Sequence, residues 1–284
     1  MRKKPPHSDA GRHRGPEKTG TRPPPRRPHG PGSREAASAA PSFRRPSSQV
    51  AVLYGFHAVR EALRTKRRRA LRLFATPAAA ARLAAECEAA GIVPQIVAPE
   101  DMNRRLGGEA VHQGVMLEAE PLPARDLDDI ESKSGIVLVL DQITDPHNVG
   151  AIVRTAAAFG VDALVTTERH SPEFTGTLAK AASGGLEHVA IVSVVNLARA
   201  LEELGELGYQ RVGLDSDGPV SLADAPLARP VALVLGAEDK GLRRLSRENC
   251  DLLARLDMPG AIKSLNVSNA CAVALALVRS RLPG

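Results

Sequence analysis

The chain contains no tryptophan, two tyrosines and five phenylalanines, so extensive stacking of aromatic rings on nucleobases is not expected of it. Its three cysteines, Cys87, Cys250 and Cys271, are odd in number, far apart and without metal-ligand spacing. That pattern excludes a disulfide framework, gives no reason to expect a metal, and predicts idle or buried thiols in a reducing compartment. No apolar run approaches the roughly 18 residues a membrane span needs. The first residues, MRKKPPHSDAGRHRG, lack the apolar core of a signal peptide. A soluble, cytoplasmic protein with no membrane partner is therefore expected. No G-x-G-x-x-G follows the first strand of either half, which argues against a dinucleotide-dependent dehydrogenase.

What is present is enough apolar material, 43% of 284 residues, for one or two ordinary cores. The net charge of +6 has the look of a nucleic-acid binder, but its distribution changes the meaning. Residues 1–50 hold 12 Lys and Arg against three Asp and Glu; taking these from totals of 38 and 32 leaves 26 against 29 for the rest. The excess positive charge sits in the tail. Residues 1–48 also carry ten of the 22 prolines and almost no large apolar side chains, so they are expected to be disordered. Such a tail serves either as a mobile polycation that gathers RNA through salt-sensitive phosphate contacts or as a plain solubilising extension.

Order is expected from Val50. VAVLYGF and LRLFAT read as strands, HAVREALRT as a helix, and TPAAAARLAAECEAAG as one helix capped by Thr76, with Pro77 first and Gly91 last. IVPQIV, PEDMNRRLGG and VHQGVMLEAEP complete a small α/β domain over residues 50–120. A proline-containing acidic stretch over 121–135 reads as a linker. Residues 136–284 then alternate apolar runs (IVLVLDQ, DALVTT, VAIVSV, QRVGLD, VALVLG, LLARLDM) with Ala-rich helical stretches. That alternation predicts a parallel sheet covered on both faces.

Three polar segments interrupt this background, each just after a predicted strand, where open α/β sheets bind ligands. In DQITDPHNVGAIVRTAAAFG, Asn148 falls where a helix begins and Arg154 lies six residues on, under two turns away. Both can then face one cleft; the plainer alternative is that Asp145 or Asn148 caps the helix and Arg154 is a solvated charge. In LGAEDKGLRR, Gly236 and Gly241 bracket Glu238 on a loop that lets a ligand approach the backbone, although an ordinary loop reads the same way. In MPGAIKSLNVSNACAVALAL, the residues Lys263, Ser264, Asn266, Ser268 and Asn269 exceed what a helix cap needs. Such a surplus beside apolar strand ends suits a ligand with an adenine edge, a ribose and an amino-acid end.

In order and spacing these segments resemble the three signature motifs of the SpoU/TrmH family of SPOUT methyltransferases, over residues 136–282. The likeness touches nearly every position of LVLGAEDKGLRRLSRENCD and MPGAIKSLNVSNACAVAL. VLYGFHAVREAL and HQGVMLEAEPL are similar to the two-domain subgroup that modifies ribosomal RNA, in which a ribosomal-protein-like α/β module comes first. The resemblance implies a SPOUT-type parallel sheet with a C-terminal trefoil knot, S-adenosylmethionine as cofactor, and methyl transfer to a ribose 2′-hydroxyl, typically of a guanosine in 23S ribosomal RNA. It implies cofactor contacts from Gly236, Leu256 and Leu265, mainly through backbone, with Met258, Ser264 and Asn266 nearby. Asn148, Arg154, Glu238, Ser264 and Asn266 match the family's polar active-site positions.

Arg154 takes a catalytic role in that pattern. With a pKa above about 12 a guanidinium is costly to deprotonate, so clamping phosphate and stabilising an alkoxide is the role expected of it. The proton acceptor stays open between Glu238, an RNA phosphate and Arg154. The resemblance further implies a homodimer whose catalytic domains complete each other's cleft; the apolar run AVALALV is the chain's own support, and one subunit can equally bury it. RNA is expected on the first domain, with Arg64, Lys66, Arg67, Arg68, Arg69 and Arg72 as a phosphate patch, or else as a solvated loop. Competing readings are a transfer-RNA ribose methyltransferase and a noncatalytic ribosome-assembly factor. The first domain favours ribosomal RNA over the former, and the intact polar positions favour catalysis over the latter.

Overall fold

The computed structural model describes residues 50–282 apart from 109 and 133, so the basic tail lies outside the described residues. The chain first builds a small sheet from β1 (Ala51–Tyr54), β2 (Ala70–Ala75), β3 (Gln95–Ile96) and β4 (Val115–Ala119), in the order β1-β4-β2-β3. β4 runs antiparallel to both neighbours, and β3 runs parallel to β2. The helix α1 (Phe56–Thr65) buries Phe56, Val59, Ala62 and Leu63, the spacing of three and four that gives a helix one apolar face.

Two local expectations change. The helix read over 76–91 starts on the Thr76 cap and ends at Gly91 in the left-handed region, but it is two helices, α2 (Pro77–Arg82) and α3 (Ala84–Ala90). The break is at Leu83 (φ −104°, ψ 9°), whose N–H is shared by the carbonyls of Ala79 and Ala80. Every residue there favours a helix, so the sequence carries no sign of it. IVPQIV shortens to the two residues of β3, because Pro94 has no N–H to give a ladder and the strand sits at the sheet edge. The helix α4 (Pro99–Leu106) follows.

The larger sheet contains β5 (Ile136–Asp141), β6 (Ala163–Thr167), β7 (Ala190–Val194), β8 (Gln210–Leu214), β9 (Val220–Ser221), β10 (Val231–Gly236) and β11 (Leu252–Arg255). Their order is β7-β6-β5-β10-β8-β11-β9, and every pairing is parallel. Around it lie α5 (Pro146–Ala158), α6 (Gly176–Ala181), α7 (Leu197–Glu206), α8 (Arg244–Glu248) and α9 (Val267–Arg281). Alternate residues of β5 enter different cores. Ile136, Leu138 and Leu140 pack with α5, α6 and α9, while Val137 and Val139 pack with α7. Burial on both faces explains why these strands read as unbroken apolar runs. β9 and α8, of two and five residues, were too short to show a period in the sequence.

Because all seven strands point the same way, their C-terminal ends share one rim. The segments after β5, β8, β10 and β11 emerge there, and so does the start of α9, which then runs back along α5. α5 and α6 approach closely at Gly150, where an added Cβ would lie 2.5 Å from Ala181 Cβ and 2.7 Å from the Leu178 carbonyl oxygen. The small sheet packs beside α6 and the short 3-10 helix Gly185–Glu187. Among the described residues no helix is long and apolar enough to cross a membrane.

Candidate active site

Three polar segments, distant in the chain, meet at the common rim. Asp145 caps α5 by accepting the His147 N–H at 3.0 Å, which releases Asn148 for another task. Asn148 Nδ2 donates to Glu238 Oε1 at 2.9 Å, Asn266 Nδ2 donates to the same oxygen at 2.6 Å, and the Val267 N–H donates to it at 3.1 Å. Asn266 Nδ2 also donates to Asn148 Oδ1 at 2.9 Å. Asn266 is at the same time the cap of α9, its Oδ1 accepting the Ser268 N–H at 3.0 Å and the Ser268 hydroxyl at 2.6 Å. Capping and site-building are thus one residue's work, which a count of surplus polar side chains cannot separate.

The loop carrying Glu238 is tied down from below. The Gly241 N–H donates to the Ala237 carbonyl at 2.8 Å. The turn folds back so tightly over Gly236 that a Cβ there would collide with the Gly241 backbone. The return limb is anchored by Asp141, whose side chain is fully buried and accepts from Arg243 N at 2.9 Å and Arg243 Nε at 2.5 Å. Asp141 ends β5 and pairs in register with Gly236, so one carboxylate links the first polar segment to the second.

Beside Glu238 opens a cleft of about 370 Å3, within the range of small-molecule sites. Gly236, Leu256, Met258, Ser264 and Leu265, five of the cofactor positions that the resemblance implies, line it together with Glu238, and the sixth, Asn266, does not. Leu214, Asp215, Ser216 and Asp217 line it too and were missed. DSDG after QRVGL is a fourth polar segment behind a strand, the signal used for the other three. Arg247 forms an ion pair with Asp215 on this wall, and Lys263 Nζ donates to the Met258 carbonyl at 2.7 Å. Cys250 lies outside this chemistry: burial, opposed by the charge of Arg211, pushes its thiol up to about 12. Burial likewise raises Cys271 to about 12, and no cluster able to hold a metal ion occurs among the described residues.

Arg154 stands apart from this network. It is exposed on α5, six residues or about 9 Å along the helix from Asn148, with no hydrogen bond or ion pair among the described residues. The expected phosphate patch needs correcting. Arg68 is buried in an ion pair with Glu187 at 2.8 Å, both side chains 2% exposed, and Arg67 Nη1 donates to the Glu187 carbonyl at 3.0 Å. Arg64 pairs with Glu61, Arg69 with Glu120 and Arg72 with Glu118. Most of the run holds carboxylates, and Arg68 is closed to any phosphate.

Residues 135–276 match the SpoU rRNA Methylase family, and residues 52–124 match the RNA 2′-O ribose methyltransferase substrate-binding domain. The chain is 38% identical over 243 residues to the 23S rRNA (guanosine-2′-O-)-methyltransferase RlmB of Yersinia pestis, covering 81% of this chain and 97% of that one. It is 40% identical to the protein of the same name from Ralstonia nicotianae, covering 80% and 94%. A TrmH-family putative RNA methyltransferase from Porphyromonas gingivalis superposes with a TM-score of 0.69 at 26% identity, over 82% of this chain and 90% of that one. The fold is shared with the SpoU methyltransferase AviRb of Streptomyces viridochromogenes, solved in complex with AdoMet (TM-score 0.70, 23% identity, 84% and 92% covered). Matched by its model over half its length and by full-length relatives of this identity, the chain belongs to the SpoU rRNA methylase family.

Proposed function

We propose that the chain transfers the methyl group of S-adenosylmethionine to the ribose 2′-hydroxyl of a guanosine in 23S ribosomal RNA. The observation that carries this reading is the meeting of Asn148, Glu238 and Asn266 on one carboxylate oxygen at the edge of the cleft. The cleft suits the cofactor: Leu235, Leu256, Met258 and Leu265 offer an apolar wall to a purine, and Asp215, Asp217 and Lys263 offer charged partners to an amino-acid end. Gly236, Ser264 and Asn266 border the same space or its edge. When bound, S-adenosylmethionine supplies an electrophilic methyl group.

The chain's own residues have to align the attacking oxygen and handle its proton. Three donors hold Glu238 Oε1, which fixes the carboxylate and leaves its second oxygen to a ribose hydroxyl. Asn148 and Asn266 keep it in place, and Ser264 borders the cleft as a further hydrogen-bonding group. Arg154, without a hydrogen bond or ion pair among the described residues, brings a fixed positive charge to an RNA phosphate and to the developing alkoxide.

Its separation from the network supports a homodimer in which Arg154 serves the partner's cleft. Exposed Ile262, Leu265 and Val273 on the final segment, at 75%, 42% and 44%, support the same arrangement. The reading includes a trefoil knot in the C-terminal segment and a cytoplasmic location. It divides the chain into an RNA-binding, ribosomal-protein-like domain over 50–120, a linker over 121–135 and a catalytic domain over 136–284. The test is methylation of full-length 23S rRNA and bulk tRNA transcripts by the purified protein, with the methylated riboses mapped. One modified guanosine in 23S rRNA is expected. Modification of tRNA alone overturns the substrate, and cofactor binding without transfer to either RNA overturns the enzyme reading in favour of an assembly factor.

A further inference from the structure

We propose that the RNA backbone is held along the seam between α1 and α6, by Arg82, Lys180 and His57, and not by the conspicuous basic run after α1. This rests on the reading of the chain as an RNA methyltransferase and names where its substrate lies.

The first argument is direction. Asn148, Glu238 and Asn266 all come from the rim formed by the C-terminal ends of the parallel strands. α6 follows β6, so its first turn lies near that rim. The Tyr54 hydroxyl and Thr177 Oγ1 share a hydrogen bond of 2.9 Å, and a Cβ on Gly176 would lie 3.6 Å from the Tyr54 ring. The end of β1 and the beginning of α1 are therefore held beside the catalytic rim. At that junction a Cβ on Gly55 would sit 3.1 Å from Lys180 Cγ, and the Phe56 N–H donates to Gln113 Oε1 at 2.9 Å. Arg82 lies over the Phe56 ring, 3.7 Å from its centre. His57 and Arg82 are exposed.

The run Arg64 to Arg69 lies at the other end of α1, ten residues or about 15 Å away. There Arg67 and Arg68 bind Glu187, in the 3-10 helix that feeds the N-terminal end of β7. That is the rim opposite the cleft. Arg67 and Arg68 are committed there to the Glu187 carbonyl and carboxylate and not to an anion.

The second argument is charge. Arg64, Arg68, Arg69 and Arg72 each face a carboxylate and Arg67 is turned onto the Glu187 carbonyl, so an anion gains little from the run beyond Lys66, which has no such partner among the described residues. Arg82 and Lys180 have no carboxylate partner among the described residues. Uncompensated cations are the ones that release counterions from a polyanion, and their loss lowers the salt dependence of binding as well as its strength.

The test compares two double variants of the full chain for binding to a full-length 23S rRNA transcript across a salt series. Arg82→Gln/Lys180→Gln is expected to bind about tenfold more weakly near 0.1 M salt and to lower the slope of log affinity against log salt by about 1.5 to 2. Its affinity for S-adenosylhomocysteine and its thermal midpoint stay at wild-type values. Arg64→Gln/Arg69→Gln is expected to change RNA affinity less than about twofold. The inference is overturned if the second pair weakens binding and the first does not, or if the first loses RNA only together with fold or cofactor. A wild-type chain that methylates RNA while the seam variant binds normally sinks the seam alone; a wild-type chain that does not bind RNA sinks the functional reading with it.

Discussion

Two ends of this molecule gather charged and polar side chains from distant parts of the chain, and they do so under opposite conditions. At the rim beside the cleft, Asn148, Glu238 and Asn266 meet in the open, every amide bonded to another member. At the far end of α1, Arg68 and Glu187 meet in the dark, both 2% exposed, with Arg68 Nε and Glu187 Oε2 left without a hydrogen-bond partner. The first arrangement is correctable by water and open to a substrate. The second ties the end of α1 to the short helix before β7 and depends on both partners being present, because removing one leaves a charge stranded in a poor solvent. A basic run in a sequence therefore says little about RNA until its carboxylates are located.

The comparison is broken most sharply at Arg154. Replacing it with alanine is expected to lower methyl transfer by about 10²- to 10³-fold, the scale of losing one preorganised donor to a developing oxyanion. Cofactor affinity should stay within about twofold, because Arg154 does not line the cleft. Single-turnover transfer beside calorimetric titration with S-adenosylhomocysteine measures both. Unchanged turnover removes Arg154 from the proposed mechanism and leaves Glu238 as its one charged group.

At the buried end the expected loss is in stability. Glu187→Gln is expected to destabilise the chain by about 3 kcal/mol, at the low end for breaking a buried pair. For a unit of this size that lowers the thermal midpoint by roughly 6 to 12 °C. Arg68→Met/Glu187→Leu removes both charges and should recover most of the loss, since an apolar replacement of a buried pair is often neutral or better. If the double variant is no more stable than Glu187→Gln, the damage is to packing and the contrast between the two ends fails. Neither variant removes Arg82 or Lys180, so the folded fraction should still bind RNA.

The sequence made the larger, parallel sheet easy to read. Unbroken Val, Leu and Ile runs mark strands buried on both faces, and polar residues behind them mark the rim. The Thr76 cap and the left-handed Gly91 were visible because each is set by a few neighbouring residues. Pairing between distant segments was not visible. Nothing near Arg68 in the chain announces Glu187, 119 positions away, and nothing near Gly55 announces that Lys180 will lie beside it. The break at Leu83 was hidden for another reason, since a departure from helix among good helix formers leaves no compositional trace. Asp215 and Asp217 are different again: their signal was present, a polar turn after a strand, and needed only the same rule applied once more.

The smallest expected effect tests whether the far end is also electrostatically tuned. Burial raises the pKa of Glu61, but the hydrogen bond from His188 at 3.0 Å and the charge and hydrogen bond of Arg64 outweigh it, so the carboxyl is held below its ordinary value of 4.5. A carboxyl more acidic in the folded than in the unfolded chain stabilises the fold above the unfolded value, and loses that contribution as the pH falls through the folded one. Glu61→Gln should therefore lower the thermal midpoint by about one to two degrees at pH 7, and the gap to wild type should close as the pH drops from about 4.5. A gap that persists unchanged to pH 3 means that Glu61 acts by shape alone, packed against Gly184, and that charge contributes at this end only through Arg68 and Glu187.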